Sequence, residues 1–245
     1  MTVLKLESKK DKKGIKQPII KDENGYYKVV LGEFNTFNRS GIYYEVPDPV
    51  KVLGPGTLVH RRIENGILIA ENGHPDVSNI KDRAELSREV IKLRPENKIA
   101  HIKAIEIKNL GKVEPGFKYP VYRIYGWVKP EGPHKEILQE ALENPDENVY
   151  FSIRSLVNQR RVGNIIIRTF ILISTWDYVY EGGIANASQW NAAGVEDIDL
   201  TVDLDPASAE KLVSGFEGNC EDGKCVIDCI KCNLPKTTEN IILNF

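Results

Sequence analysis

Cysteine is scarce and confined: the 245-residue chain has four, all between Cys220 and Cys232. A disulfide framework spread over a secreted domain is therefore excluded. Net charge is nearly absent as well, with 33 Lys+Arg against 35 Asp+Glu, so a nucleic acid is not an expected partner. No run approaches the ~20 apolar residues of a membrane span. The apolar stretch Ile165–Ile173 is too short and contains Arg168. The opening MTVLKLESKKDKKGIK is basic and lacks the apolar run of a signal peptide. A soluble, intracellular protein without a membrane partner is expected. Histidine is also sparse, and His60, His74, His101 and His134 are the only candidates for an imidazole base. Internal repeats, low-complexity tracts and a regular βα alternation are all missing, which argues against a doubly wound fold.

What is present reads as strands with a few interspersed helices, the α+β class. Residues 1–16 are Lys-rich and aperiodic, a mobile basic arm. Tyr26–Phe34 has strand composition, and Asn35–Tyr44 is a polar segment with aromatics. Thr57–Asn65 fits either a short helix ending at Gly66 or one arm of a hairpin turning there. Asp82–Leu93 carries Leu86, Val90 and Leu93 at helical spacing, and Pro133–Glu143 is a second helix. Lys98–Leu110, Val121–Lys129 and Val149–Val157 read as strands, and Asn164–Thr175 as a central strand covered on both faces. Composition shifts after about Asn191, so a main domain over 17–195 is followed by an acidic, Cys-rich segment over 196–245.

Chemistry is sought where polar groups sit at strand ends. Side chains alternate along a strand, so Ser152 and Arg154 project together, while Ser155 shares the apolar face of Phe151, Ile153 and Val157. The bland alternative is a solvated polar face. His74 stands between Gly73 and Pro75, just past the short apolar run Ile67–Ala70. It is either an exposed turn histidine or a base held by a rigid turn. His101 lies in an apolar strand and is expected to pack or hydrogen-bond in the core, His134 opens a helix, and His60 falls in a basic, exposed stretch. Asp177, flanked by Trp176 and Tyr178 after a buried strand, must find hydrogen-bond donors, either backbone amides or a histidine ring. A nucleophilic hydrolase needs a hydroxyl, a base and an orienting acid, and Ser152, His74 and Asp177 are candidates for those parts. Cys220, Cys225, Cys229 and Cys232 form C-x4-C-x3-C-x2-C. Four thiolates could close a structural zinc site; reduced cysteines in a mobile tail are the alternative.

These residues together resemble a known family, the prohead core (maturation) proteases of large tailed phages, related to the herpesvirus assemblin serine proteases. Asn38–Tyr44 looks like that family's N-R-N-x-R-x-Y segment. Glu71-Asn72-Gly73-His74-Pro75 looks like G-E-L-x-H-P, and Phe151-Ser152-Ile153-Arg154 looks like V-S-S-R-G. Thr175–Val179 looks like the segment bearing the acid. Two departures stand out: the family's second serine is Ile153 here, and its glycine is Ser155.

The resemblance implies an assemblin-like β-barrel core ringed by helices, with 17–195 as the protease domain. It implies Ser152 as nucleophile, His74 as general base, Asp177 as orienting acid and Arg154 as a charge-stabilising group near the oxyanion. It implies no cofactor for catalysis. The substrates would be scaffold, capsid and other prohead proteins, cut inside the assembling prohead in the host cytoplasm. A second copy of the chain is a further candidate partner. Self-cleavage is implied too, and Ser208-Ala209-Glu210 is a small-x-Glu sequence at the start of the tail. The contrasting class is a non-enzymatic virion or scaffold protein that docks a partner through a zinc-binding four-cysteine tail.

Overall fold

A computed structural model describes residues 21–144, 147–180, 200–203 and 240–243. Nine strands and four α-helices are found among them, in the order β1 Tyr27–Phe34, β2 Ile42–Glu45, α1 Val50–Leu53, α2 Leu58–Glu64, β3 Ile69–Glu71, α3 Arg83–Ile91, β4 Lys98–Val113, β5 Pro120–Pro130, α4 Lys135–Glu143, β6 Tyr150–Val162, β7 Ile165–Val179, β8 Leu200–Asp203 and β9 Asn240–Leu243. Strands dominate and helices are few, so the α+β expectation holds. The basic arm, the Ser208-Ala209-Glu210 sequence and the four cysteines lie outside the described residues.

The strands form two sheets. One has the antiparallel order β1-β5-β4-β3, with β9 beside β4; the other runs β2-β7-β6-β8. The second is built on one long hairpin, in which Tyr150 opposes Val179 at the open end and Val162 opposes Ile165 at the turn. The two-residue turn Gly163-Asn164 closes it, with Gly163 at φ +58° as a tight hairpin requires. Leu31, Phe34, Tyr44, Phe151, Ile153, Phe170 and Trp176 fill the space between the sheets. The opposite face of β6 places Leu156 with Leu172 and with Val90 and Ile91 of α3. The alternation expected of Val149–Val157 is therefore present. One face of β6 joins the main core, and the other points to α3.

The two sheets touch along two seams. At one, Asn35 N–H donates to the Tyr44 carbonyl (2.7 Å) and Tyr44 N–H to that of Thr36 (3.1 Å). At the other, Asn72 bridges Tyr178, Gly73 N–H donates to the Tyr178 carbonyl (2.9 Å), and the Thr175 hydroxyl donates to the Ile69 carbonyl (2.5 Å). The described strands do not close into a barrel. Strand β3 is 3 residues long, and the chain beyond it meets β7 at one isolated bridge, Asn72 with Tyr178, rather than along a ladder.

One open alternative is decided and two local expectations change in the fold. Thr57–Asn65 is the helix alternative, capped by Thr57, whose hydroxyl accepts His60 N–H, and followed by Gly66 at φ +65°. His60 is buried rather than exposed, because α2 packs the face carrying Val59, His60, Arg62 and Ile63 inward. The polar segment after β1 contains β2, which pairs in parallel with Ile166–Thr169 of β7. Partners so distant in sequence leave no local signature of that pairing.

Candidate active site

Ser152 and Asp177 are direct cross-strand partners in the β6–β7 ladder, so their side chains leave the same face of the sheet. Strand β7 runs on through Val179, so Asp177 lies within the strand rather than after it. Asp177 is fully buried, and Ser152 is nearly so.

His74 enters from the other sheet. Beyond β3 the chain turns at Gly73, which takes φ +76°, and Pro75 restricts His74 to extended backbone. The Asn72 and Gly73 contacts with Tyr178 fasten this turn to β7 one residue from Asp177. The imidazole then spans the cross-strand pair. Its Nδ1 lies 2.7 Å from Asp177 Oδ2 and its Nε2 lies 2.9 Å from Ser152 Oγ. A carboxylate can only accept, so the ring proton sits on Nδ1, and Nε2 is left to accept the Ser152 hydroxyl proton.

Arg154 lies two residues along β6 from Ser152 and is wholly buried. Its Nε donates to Asp177 Oδ2 (2.8 Å), its Nη2 to Asp177 Oδ1 and to Glu71 Oε1 (3.0 Å), and its Nη1 to the Lys92 carbonyl (2.9 Å). All three nitrogens are thus engaged with the acids and with the chain after α3. Burial opposes ionisation of Asp177. The His74 hydrogen bond and the Arg154 charge outweigh it, and the carboxyl is held below the usual aspartate value. Burial likewise works against the Arg154 cation, but Asp177 and Glu71 together raise its pKa above the ordinary arginine value.

The buried groups extend further than the sequence reading. Glu71 ends β3 and is fully buried; its Oε1 also accepts Arg94 N–H (2.9 Å), and its own N–H donates to Asp177 Oδ1 (3.4 Å). Desolvation, reinforced by the nearby Asp177 charge, pushes its carboxyl up against the opposing pull of Arg154. Arg62 of α2 donates to the Ser174 carbonyl (2.7 Å) and hydroxyl (2.9 Å) and to the Ile91 carbonyl (2.6 Å). Burial and the neighbouring Arg154 charge lower it to about 10. Glu71 stands within the motif resembling G-E-L-x-H-P, but an acid at the end of a short strand looks like a surface residue. Only the β3–β7 seam, a tertiary contact, reveals its burial.

Residues 4–219 match the Peptidase S80 family. The chain belongs to the peptidase S80 family. It is also 31% identical over 235 residues to the capsid maturation protease of Pseudomonas phage phiKZ, a match covering 90% of this chain and 83% of that protein. No solved structure matches it. The stretch matched to the peptidase S80 family contains Glu71, His74, Ser152, Arg154 and Asp177 and ends before Cys220. Membership and the phiKZ relative together bear out the resemblance to phage prohead maturation proteases. Among the described residues, no cluster of three or more His, Cys, Asp or Glu could hold a metal ion.

Proposed function

We propose that this chain is a serine endopeptidase that matures a phage head, cleaving capsid, scaffold and other prohead proteins inside the assembling shell. The observation that carries the reading is the continuous Asp177–His74–Ser152 hydrogen-bond chain, with links of 2.7 and 2.9 Å. Membership of a peptidase family and the likeness to a capsid maturation protease support the substrate class. Ser152 Oγ attacks the scissile carbonyl as His74 Nε2 takes its proton. The imidazolium, steadied by Asp177, then protonates the leaving amine. Water repeats the sequence on the acyl-enzyme, and Ser152 is regenerated. Arg154 serves this chemistry by gripping Asp177, and backbone amides near Ser152 stabilise the oxyanion. The chain also cuts itself, with Ser208-Ala209-Glu210 as the candidate site.

Co-expression with the capsid and scaffold proteins of the same phage, read by intact mass, tests the proposal. Wild type shortens those proteins, while Ser152→Ala and His74→Ala leave them whole. Ser155→Ala is the control: its Oγ is buried on the apolar face without a hydrogen-bond partner among the described residues. Removing that hydroxyl leaves cleavage unchanged and the fold as stable or more so. Processing retained by Ser152→Ala would sink the assignment.

A further inference from the structure

Given that reading of Ser152, His74 and Asp177, we infer that Glu71 is a positioning residue of the site, holding Arg154 against Asp177 and restoring the negative charge that Arg154 neutralises. Asp177 alone has a difficulty. Both its oxygens accept from the Arg154 guanidinium, so from His74 the acid and the cation together look nearly neutral. A neutral pair does little to stabilise the imidazolium that forms as the Ser152 proton is taken.

Glu71 supplies the missing charge. It meets the same Arg154 Nη2 at 3.0 Å, so one guanidinium is divided between two buried carboxylates. The contacts around Glu71 work against the desolvation that raises its carboxyl. Oε1 receives two donors, Arg154 and the Arg94 N–H, and Oε2, which has no hydrogen-bond partner among the described residues, faces the Arg94 guanidinium at 3.8 Å. A protonated Oε2 would be a buried donor without a partner. The charged groups at the acid are then Arg154 from β6 and Glu71 from β3; Arg62 of α2 lies beyond them, held on the Ser174 and Ile91 carbonyls, and the Arg94–Glu89 pair stands behind Glu71. Glu71 is also three residues before His74, so one short segment sets the position of the base and the charge of the acid.

Labelling by a fluorophosphonate–rhodamine probe reads the site without a known substrate. Ser152 Oγ attacks phosphorus, fluoride leaves, and the hydroxyl proton passes to His74. Labelling of wild type and not of Ser152→Ala establishes the nucleophile first; an unlabelled wild type overturns the triad and this inference with it. In a labelled background, Glu71→Gln lowers the plateau rate roughly tenfold and moves the acid limb of the pH–rate profile to lower pH, because the base is weakened. Arg94→Gln removes a partly exposed cation beside Glu71 and moves the limb the opposite way. A purely structural role would lower the rate of both variants without moving either limb. Opposed shifts support the inference. Unmoved limbs, or limbs moving together, overturn it, and if Glu71→Gln fails to fold, the direction of the Arg94→Gln shift decides alone.

Discussion

Asp177 shows how a fully buried carboxylate is made tolerable. Stripping a carboxylate of water costs several kcal/mol, roughly, unless fixed donors replace the solvent, and here a histidine, a guanidinium and a backbone N–H do so. The pH consequence follows from direction. Asp177 titrates below its ordinary value in the fold, and an unfolded aspartate at about 3.9. Its ionised form therefore contributes stability fully above that unfolded value, and the contribution disappears as pH falls through the lower folded one. Glu71 has the opposite sign. Its folded value is raised, so it takes a proton first on acidification, leaving Arg154 to Asp177 alone. Asp177→Asn should accordingly melt several degrees below wild type at neutral pH, with the gap narrowing below about pH 4. Thermal melts from neutral pH to pH 3 check this. A gap that stays constant would show that Asp177 carries no charge-dependent stability.

At the scale of elements, the site depends on one alternating strand and one tight turn. Alternation along Val149–Val157 was legible in sequence, because a period of 2 separates Ser152 and Arg154 from Phe151 and Ile153 with no knowledge of partners. The positions of His74 and Asp177 as candidates were legible from local context, but their approach was not. Nothing in Gly73-His74-Pro75 says which strand the turn will meet, and a bridge of one residue pair to Tyr178 decides it. The turn offers a clean test. Gly73 sits at φ +76° with nothing within 4 Å of an added Cβ, so Gly73→Ala costs only backbone strain, about 1–2 kcal/mol. Relief of that strain swings the next residue, His74, and a displacement of ~1 Å in a catalytic group can cost ~10²-fold in rate. Gly116 is the matched control, at φ +83° with equally open space. Both alanine variants should melt slightly below wild type. Only Gly73→Ala should lose most of its cleavage of a capsid substrate. Equal loss of activity in the two would mean that the turn does not set the base.

At the scale of the whole molecule, the candidate site is assembled across a join. His74 comes from the end of one sheet, whereas Ser152 and Asp177 come from the hairpin of the other. That arrangement exists only when both seams hold, and neither can be inferred from strand patterns, which report faces but not edges. The seam without the triad is pinned by Asn35. It is wholly buried at φ +59°, its amide donates to the Val46 (2.9 Å) and Pro120 (2.8 Å) carbonyls, and its Oδ1 accepts Val46 N–H (2.6 Å). Asparagine suits this place because it tolerates a left-handed backbone and mimics backbone hydrogen bonding. Nine residue steps along β7 separate Arg168, opposite Tyr44 at this seam, from Asp177, roughly 30 Å along a strand. Asn35→Ala strands three buried backbone groups and keeps the strain, a loss of about 2–4 kcal/mol. A urea titration followed by the buried Trp176 should show a lower midpoint for this variant, while its turnover in dilute buffer matches wild type. If turnover fell instead at concentrations where Trp176 remained native, the two seams would be coupled through the hairpin, and the triad would answer to local opening rather than to separation of the sheets.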